Sequence, residues 1–125
     1  MDKTETFIKL CERAEEIQAE KLKYCECRPD SVNLLWWDIR GDCWFNQDNN
    51  KTIWLPRQDQ LQEMMGEEYS IDLLYAFYHF YNTQADYPII TLSKLAGKSP
   101  SMEQLWLAFV MKTRWNKSWN GEDWK

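Results

Sequence analysis

Eight tryptophans lie in this chain of 125 residues, and three of them, Trp115, Trp119 and Trp124, stand close together near its end. Burying an indole removes a large apolar area from water, but the ring N–H group still needs a hydrogen-bond partner. A segment with so many indoles is therefore expected to dock, either on the body of the protein or on another molecule.

Length and composition limit the classes of protein to which this chain can belong. A chain of 125 residues fits one domain with one core, so we expect a single compact domain over residues 1–125. Hydrophobic residues make up 44% of the chain and aromatic residues 15%, which weighs against disorder. The formal net charge of −5 weighs against a protein that binds phosphate backbones, because such a protein needs a basic face. Protein partners and neutral small molecules stay open.

The sequence shows no membrane or export signal. No stretch approaches the ~20 apolar residues of a membrane span. The first ten residues, 1–10, lack the basic-then-apolar order of a signal peptide. We therefore expect a cytoplasmic protein without a membrane partner.

The four cysteines are expected to be reduced, because disulfides are rare in the cytosol. Cys11 falls on an apolar helical stripe, which is a normal place for a small buried residue. Cys25, Cys27 and Cys43 could supply three thiolates to zinc, but their spacing departs from that of the common zinc ribbons. We therefore predict no metal site.

Apolar residues at helical spacing predict helices at about 3–22, 57–65, 71–82 and 100–114. In the first helix, Asp2 is the expected N-cap and Glu5 completes a capping box. The apolar stripe of this helix consists of Phe7, Leu10, Cys11, Ala14, Ile17 and Leu22. Ser99 and Pro100 are the expected cap and first residue of the last helix. Its inner face consists of Met102, Leu105, Trp106, Phe109 and Val110.

β-rich runs predict strands near residues 34–39, 43–46 and 52–55, with residues near 88–92 as a candidate fourth strand. The polar segment 46–51 between two of these runs predicts a hairpin with a longer loop. Together the elements predict an α+β fold, in which about four helices cover a small antiparallel sheet in a two-layer or three-layer sandwich.

Catalytic chemistry finds little support in the sequence. His79 is the only histidine, and it lies in the aromatic run 75–81, where we expect a half-buried imidazole bonded to a tyrosine or the backbone. The four glycines are isolated, so they form no phosphate-binding loop. We therefore assign no catalytic or cofactor-binding residue and expect no cofactor and no enzymatic activity.

The candidate contact residues are Arg57, Trp115, Trp119 and Trp124. Arg57 stands at a helix start, where a cation opposes the helix dipole, so it should pair with a carboxylate such as that of Asp59 or with a ligand. The segment 112–119 alternates cations and indoles, as in proteins that bind single-stranded nucleic acid. The acidic residues 122–123 and the negative net charge oppose that interpretation.

Several segments together resemble small proteins encoded by phages and integrated prophages. They are residues 54–64 (WLPRQDQLQEM), 101–112 (SMEQLWLAFVMK) with 119–124 (WNGEDW), and 7–18 (FIKLCERAEEIQ). Together they cover about half of the chain, and the rest matches nothing familiar. The resemblance implies a phage origin, a bacterial host cell and a compact α+β domain, of the α/β-sandwich type described for some phage proteins. It implies no catalytic residue.

These observations favour a phage accessory protein that acts without catalysis, either by self-association or by contact with a host component. Small chains with surplus aromatic residues suit that role, because Trp, Tyr and Arg dominate binding hot spots. Three alternatives stay open. The first is a module that sequesters a nucleotide-like molecule by ring stacking. The others are an enzyme that uses His79 or carboxylates, and a protein that binds single-stranded nucleic acid.

Overall fold

The computed structural model describes residues 2–29, 36–38, 43–48, 51–66, 71–83 and 100–125. Contacts between Cα atoms group the chain into two compact units, Met1–Arg57 and Gln58–Lys125, and each is treated by itself. The described residues contain helices and antiparallel strands, which confirms the α+β class. None of the helices within these ranges is long and apolar enough to span a bilayer.

The first unit begins with three short helices: α1 (Glu5–Arg13), α2 (Glu15–Ala19) and α3 (Lys21–Tyr24). The prediction of helical structure over 3–22 is confirmed, but the prediction of one continuous helix is wrong. Ala14 leaves the helical region with φ −87° and ψ 75°, which ends α1. The stripe residues from Phe7 to Ile17 are buried as predicted, whereas Leu22 is 60% exposed because the helical phase is lost at each break.

The predicted capping box at the start of α1 is wrong. Thr4 is the N-cap, and its hydroxyl accepts a hydrogen bond from the backbone N–H of Phe7 at 3.3 Å. Asp2 instead accepts from the backbone N–H of Thr4 at 2.9 Å and from the Thr4 hydroxyl at 2.7 Å. Asp2 therefore orients the cap rather than serving as the cap.

Two antiparallel strand pairs follow. β1 (Cys27–Pro29) pairs with β2 (Trp36–Asp38), and β3 (Trp44–Asp48) pairs with β4 (Lys51–Leu55). The strands predicted near 34–39, 43–46 and 52–55 are confirmed, but these elements form two separate two-stranded sheets. β1 was not predicted, because its three residues adjoin a turn-like segment. The candidate strand near 88–92 lies outside the described residues.

The hairpin of β3 and β4 is tighter than predicted. Asp48 pairs with Lys51, so only residues 49 and 50 separate the two strands. The polar residues that were assigned to a long loop extend both strands instead. The backbone of a hairpin pairs irrespective of side-chain polarity, so a polar, exposed end of a strand looks like a loop in the sequence.

Gln18 connects the helical segment to β4. Its Nε2 donates to the carbonyl of Trp54 at 2.9 Å, and its Oε1 accepts from the N–H of Trp54 at 2.8 Å. The same Nε2 also donates to the carbonyl of Cys11 at 3.1 Å. One side-chain amide thus occupies backbone groups that a neighbouring strand would otherwise pair.

The second unit contains α4 (Gln58–Glu63), α5 (Ile71–Thr83) and α6 (Met102–Trp115). The helices predicted at 57–65, 71–82 and 100–114 are therefore all confirmed to within two residues at either end. Gly66, three residues past the end of α4, adopts φ +84°.

Helix α6 forms the centre of the second unit. The residues from Trp106 to Met111 are all buried, so the helix is apolar on every side over this stretch. Ser101 is the N-cap, and its hydroxyl accepts from the N–H of Gln104 at 3.1 Å. The predicted start at Ser99 and Pro100 is therefore two residues early. Met102 is 44% exposed rather than inward, because it lies in the first turn, ahead of the enclosed stretch.

Candidate functional site

Helix α5 exposes a continuous apolar face. Ile71, Leu74, Tyr75 and Tyr78 recur at intervals of three and four residues, and this spacing places them on one side of a helix. Their exposed fractions are 85%, 56%, 68% and 66%. We call these four residues the exposed stripe. Large apolar side chains are usually buried, so four adjacent exposed ones are an informative departure.

The opposite face of α5 packs against α6. The rings of Phe77 and Trp106 stack with centroids 4.2 Å apart and planes at 7°. Phe77 and Phe80 also contact Phe109, with centroid distances of 5.6 and 5.3 Å. The hydroxyl of Tyr81 donates a hydrogen bond to the carbonyl of Leu105. The inner face of α5 therefore holds the helix in place, and the exposed stripe is not needed for that packing.

Asp72 and His79 border the exposed stripe on one flank. They are seven residues apart, so they lie almost in line along the helix. His79 is exposed, and its imidazole stacks on the ring of Tyr75 with centroids 6.1 Å apart and planes at 12°. The expectation of a half-buried imidazole is wrong, because the position of His79 on the helix directs it to the outer face.

Two of the four candidate contact residues are buried in a terminal hairpin. Ser118 and Lys125 exchange backbone hydrogen bonds of 2.8 and 2.9 Å. Trp119 and Trp124 therefore form the adjacent pair without hydrogen bonds, where cross-strand side chains approach most closely. Their ring centroids are 5.4 Å apart, and both residues are 4% exposed. Both indoles thus belong to the core of the second unit.

The turn of this hairpin is built by Asn120 and Gly121. The side-chain oxygen of Asn120 accepts from the N–H groups of Glu122 and Asp123 at 2.9 and 2.8 Å. Gly121 adopts φ +105°, which a residue with a Cβ atom rarely does. Asn-Gly is a common turn signal, and together with the tryptophans on either side of the segment 120–123 it could have predicted this element from the sequence.

Trp115 and Arg57 are the other two candidate contact residues, and both are half-buried. The guanidinium of Arg114 lies 4.5 Å from the ring centroid of Trp115 at the end of α6. Arg57 directly precedes α4. Neither residue borders the exposed stripe in sequence, and the exposed stripe contains none of the four predicted contact residues. The sequence does not reveal the exposed stripe, because apolar residues at helical spacing predict a buried face.

The buried indoles of Trp54 and Trp106 stabilise the protein through apolar contacts and not through their N–H groups. The ring of Trp54 stacks on that of Tyr24 with centroids 5.8 Å apart. The indole N–H groups of Trp54 and Trp106 are buried without a hydrogen-bond partner. An unsatisfied buried donor costs about 1–3 kcal/mol, so the apolar contacts of these rings must outweigh that cost. The expectation that each buried indole finds a partner for its N–H group is wrong at these two positions.

Two of the four cysteines are not in the reduced state that the sequence predicted. Cys25 and Cys43 form a disulfide with their Cα atoms 5.9 Å apart, so the prediction that all four cysteines are reduced is wrong. The bond ties the residue after α3 to the residue before β3, an approach that sequence spacing does not reveal. Cys11 is a free, buried thiol, as its helical position predicted. The pKa of Cys11 is raised well above its usual value, mainly because the thiol is buried and secondly because the charge of Asp2 is near.

Across the described ranges, His, Cys, Asp and Glu side chains form no group of three that could hold a metal ion. Comparison of the chain with protein-family models, with curated proteins and with solved structures finds no match. The exposed stripe is therefore the feature of the described residues on which a functional argument can be based.

Proposed function

We propose that this protein is an accessory protein of a phage or prophage that acts inside the bacterial host by non-catalytic contact with a protein. The observation that carries the proposal is the exposed stripe of α5. Phage origin and host location rest on the sequence resemblance alone.

The size of the exposed stripe supports a contact surface. A fully buried aromatic side chain covers 150–250 Å², so the two tyrosines expose on the order of 250 Å² together. With Ile71 and Leu74, the exposed stripe reaches on the order of 500 Å², within the range of patches that mark interaction sites on monomers. Tyrosine is enriched in the energetically important part of interfaces, because it combines apolar area with a hydrogen-bonding group.

The packing of four of the eight indoles weighs against ligand stacking on those rings. Trp106 stacks on Phe77, Trp54 stacks on Tyr24, and Trp119 packs against Trp124. These rings are already covered by protein. A site that binds a flat small molecule would instead need an uncovered aromatic face inside a cavity.

Site-specific photo-crosslinking tests the proposal. A photoreactive residue in place of Tyr78 is expected to yield a discrete crosslinked protein species in cells that express the chain. The matched control places the same residue at Thr113, which is exposed on α6 outside the exposed stripe. If both positions gave the same weak background, the exposed stripe would not be a contact surface and the proposed function would fail.

A further inference from the structure

We infer that the partner of the exposed stripe is a second copy of this chain, bound antiparallel across a two-fold axis. The inference rests on the proposed function, because it names the protein that the exposed stripe contacts. Three observations on α5 support it: the spacing of the exposed stripe, the charges on its flank and its area.

The spacing of the exposed stripe suits an antiparallel pair of α5 helices. Ile71 and Tyr78 are seven residues apart, or about 10 Å along the helix. A two-fold axis through the middle of the exposed stripe places Ile71 of one copy opposite Tyr78 of the other. It also places Leu74 beside Leu74 and Tyr75 beside Tyr75 of the other copy, one pair on each side of the interface. Every side chain of the exposed stripe then has an apolar neighbour, and the same patch serves both copies, as a two-fold interface requires.

The flanking residues select the antiparallel direction. Asp72 and His79 lie on the same flank, one near each end of the exposed stripe. In an antiparallel pair, the carboxylate of each copy lies beside the imidazole of the other, so a favourable polar contact forms twice. In a parallel pair, the two-fold axis runs along the helices and puts these flanks on opposite sides of the interface, so neither contact forms.

The exposed area suits a weak, reversible dimer. Two stripes of on the order of 500 Å² each bury on the order of 1,000 Å² in total, which is near the lower limit for a specific interface. We therefore expect dissociation in the micromolar range rather than a permanent dimer.

Sedimentation at chain concentrations from about 1 to about 300 µM tests the dimer, since this range brackets micromolar dissociation. The unmodified chain is expected to shift from monomer to dimer as its concentration rises. Leu74→Glu places a charge in the exposed stripe and should keep the chain monomeric throughout. The matched control, Ala76→Glu, adds the same charge to the exposed part of α5 outside the exposed stripe and should leave the dimer intact. A monomer at every concentration, or a dimer that survives Leu74→Glu, would overturn the inference.

A charge exchange tests the antiparallel direction. Asp72→Lys removes both flank contacts of the dimer and should weaken association about tenfold, since each exposed pair contributes up to ~1 kcal/mol. Combining Asp72→Lys with His79→Glu places opposite charges across the axis and should recover most of that loss. Circular dichroism shows that each variant remains folded. A double variant no tighter than Asp72→Lys alone would refute the antiparallel contact.

The two proposals fail differently. If the chain is monomeric while the photoreactive residue at position 78 captures a different protein, the second copy is the wrong partner and the proposed function stands. If the chain is monomeric and position 78 captures nothing beyond the Thr113 control, both proposals are refuted.

Discussion

Removal of the Cys25–Cys43 disulfide is expected to destabilise the first unit by about 3 kcal/mol. The two residues are 18 positions apart in sequence. In the chain-entropy description, a disulfide stabilises by restricting the unfolded chain, and a loop of this length corresponds to about 3 kcal/mol at 25 °C. For a chain of this size, such a loss corresponds to a fall in melting temperature of about 12 °C, if unfolding is two-state.

The assay compares thermal melting of the chain and of the double variant Cys25→Ser, Cys43→Ser, each with and without a phosphine reductant. The reductant should lower the melting temperature of the chain to that of the double variant and leave the double variant unchanged. Mass spectrometry of the alkylated, non-reduced protein checks that these two cysteines are paired. Equal melting temperatures for the oxidised chain and the double variant would refute the reasoning. The disulfide would then not stabilise the protein by restricting the unfolded chain.

Substitutions at three further positions test the packing and the ionisation of the buried thiol. Trp124→Ala should lower the free energy of unfolding by about 3–5 kcal/mol, because the ring is 4% exposed and packs on Trp119; an unchanged melting temperature would show that the indole is not part of the core. Gln18→Leu keeps the bulk of the side chain but leaves the N–H and carbonyl of Trp54 unpaired, which should cost about 2–4 kcal/mol in chemical denaturation. Gln18→Glu should cost at least as much, because a carboxylate oxygen then faces the carbonyls of Trp54 and Cys11. The raised pKa of Cys11 keeps its thiol neutral in the folded state. The contribution of this thiol to the free energy of unfolding should therefore be constant below the pH at which an exposed thiol ionises, and should fall as the pH rises above it. In Cys11→Ala the alkaline loss of stability should be smaller, and an unchanged alkaline profile would contradict a raised pKa at Cys11.

Helices and strands were the most predictable part of the fold. The apolar positions in 57–65, 71–82 and 100–114 recur at helical spacing, and each region is helical. The β-rich runs near 43–46 and 52–55 form a hairpin. Periodicity is a local property, so it can be read without knowing what packs where. Exact ends were less predictable, since Thr4 and Ser101 compete for the cap with neighbouring residues of similar chemistry.

The candidate site was predicted less well. Sequence analysis selected the terminal indoles as contact residues, and the structure buries Trp119 and Trp124 in a hairpin whose Asn-Gly turn was a readable signal. In the sequence, the tyrosines and phenylalanines of 75–81 form one aromatic run. The structure divides them, with Phe77 and Tyr81 against α6 and with Tyr75 and Tyr78 exposed. An apolar residue has the same sequence signature on a core face and on a contact face.

Sequence patterns predicted the α+β class, the positions of most helices and strands, and the burial of the stripe from Phe7 to Ile17. They could not predict that Cys25 reaches Cys43, that Gln18 pairs with the backbone of Trp54, or that one apolar face of α5 stays exposed. Side-chain pattern and backbone propensity act over a few residues. Disulfides, edge pairing and the choice between two apolar faces depend on which distant residues come together in space.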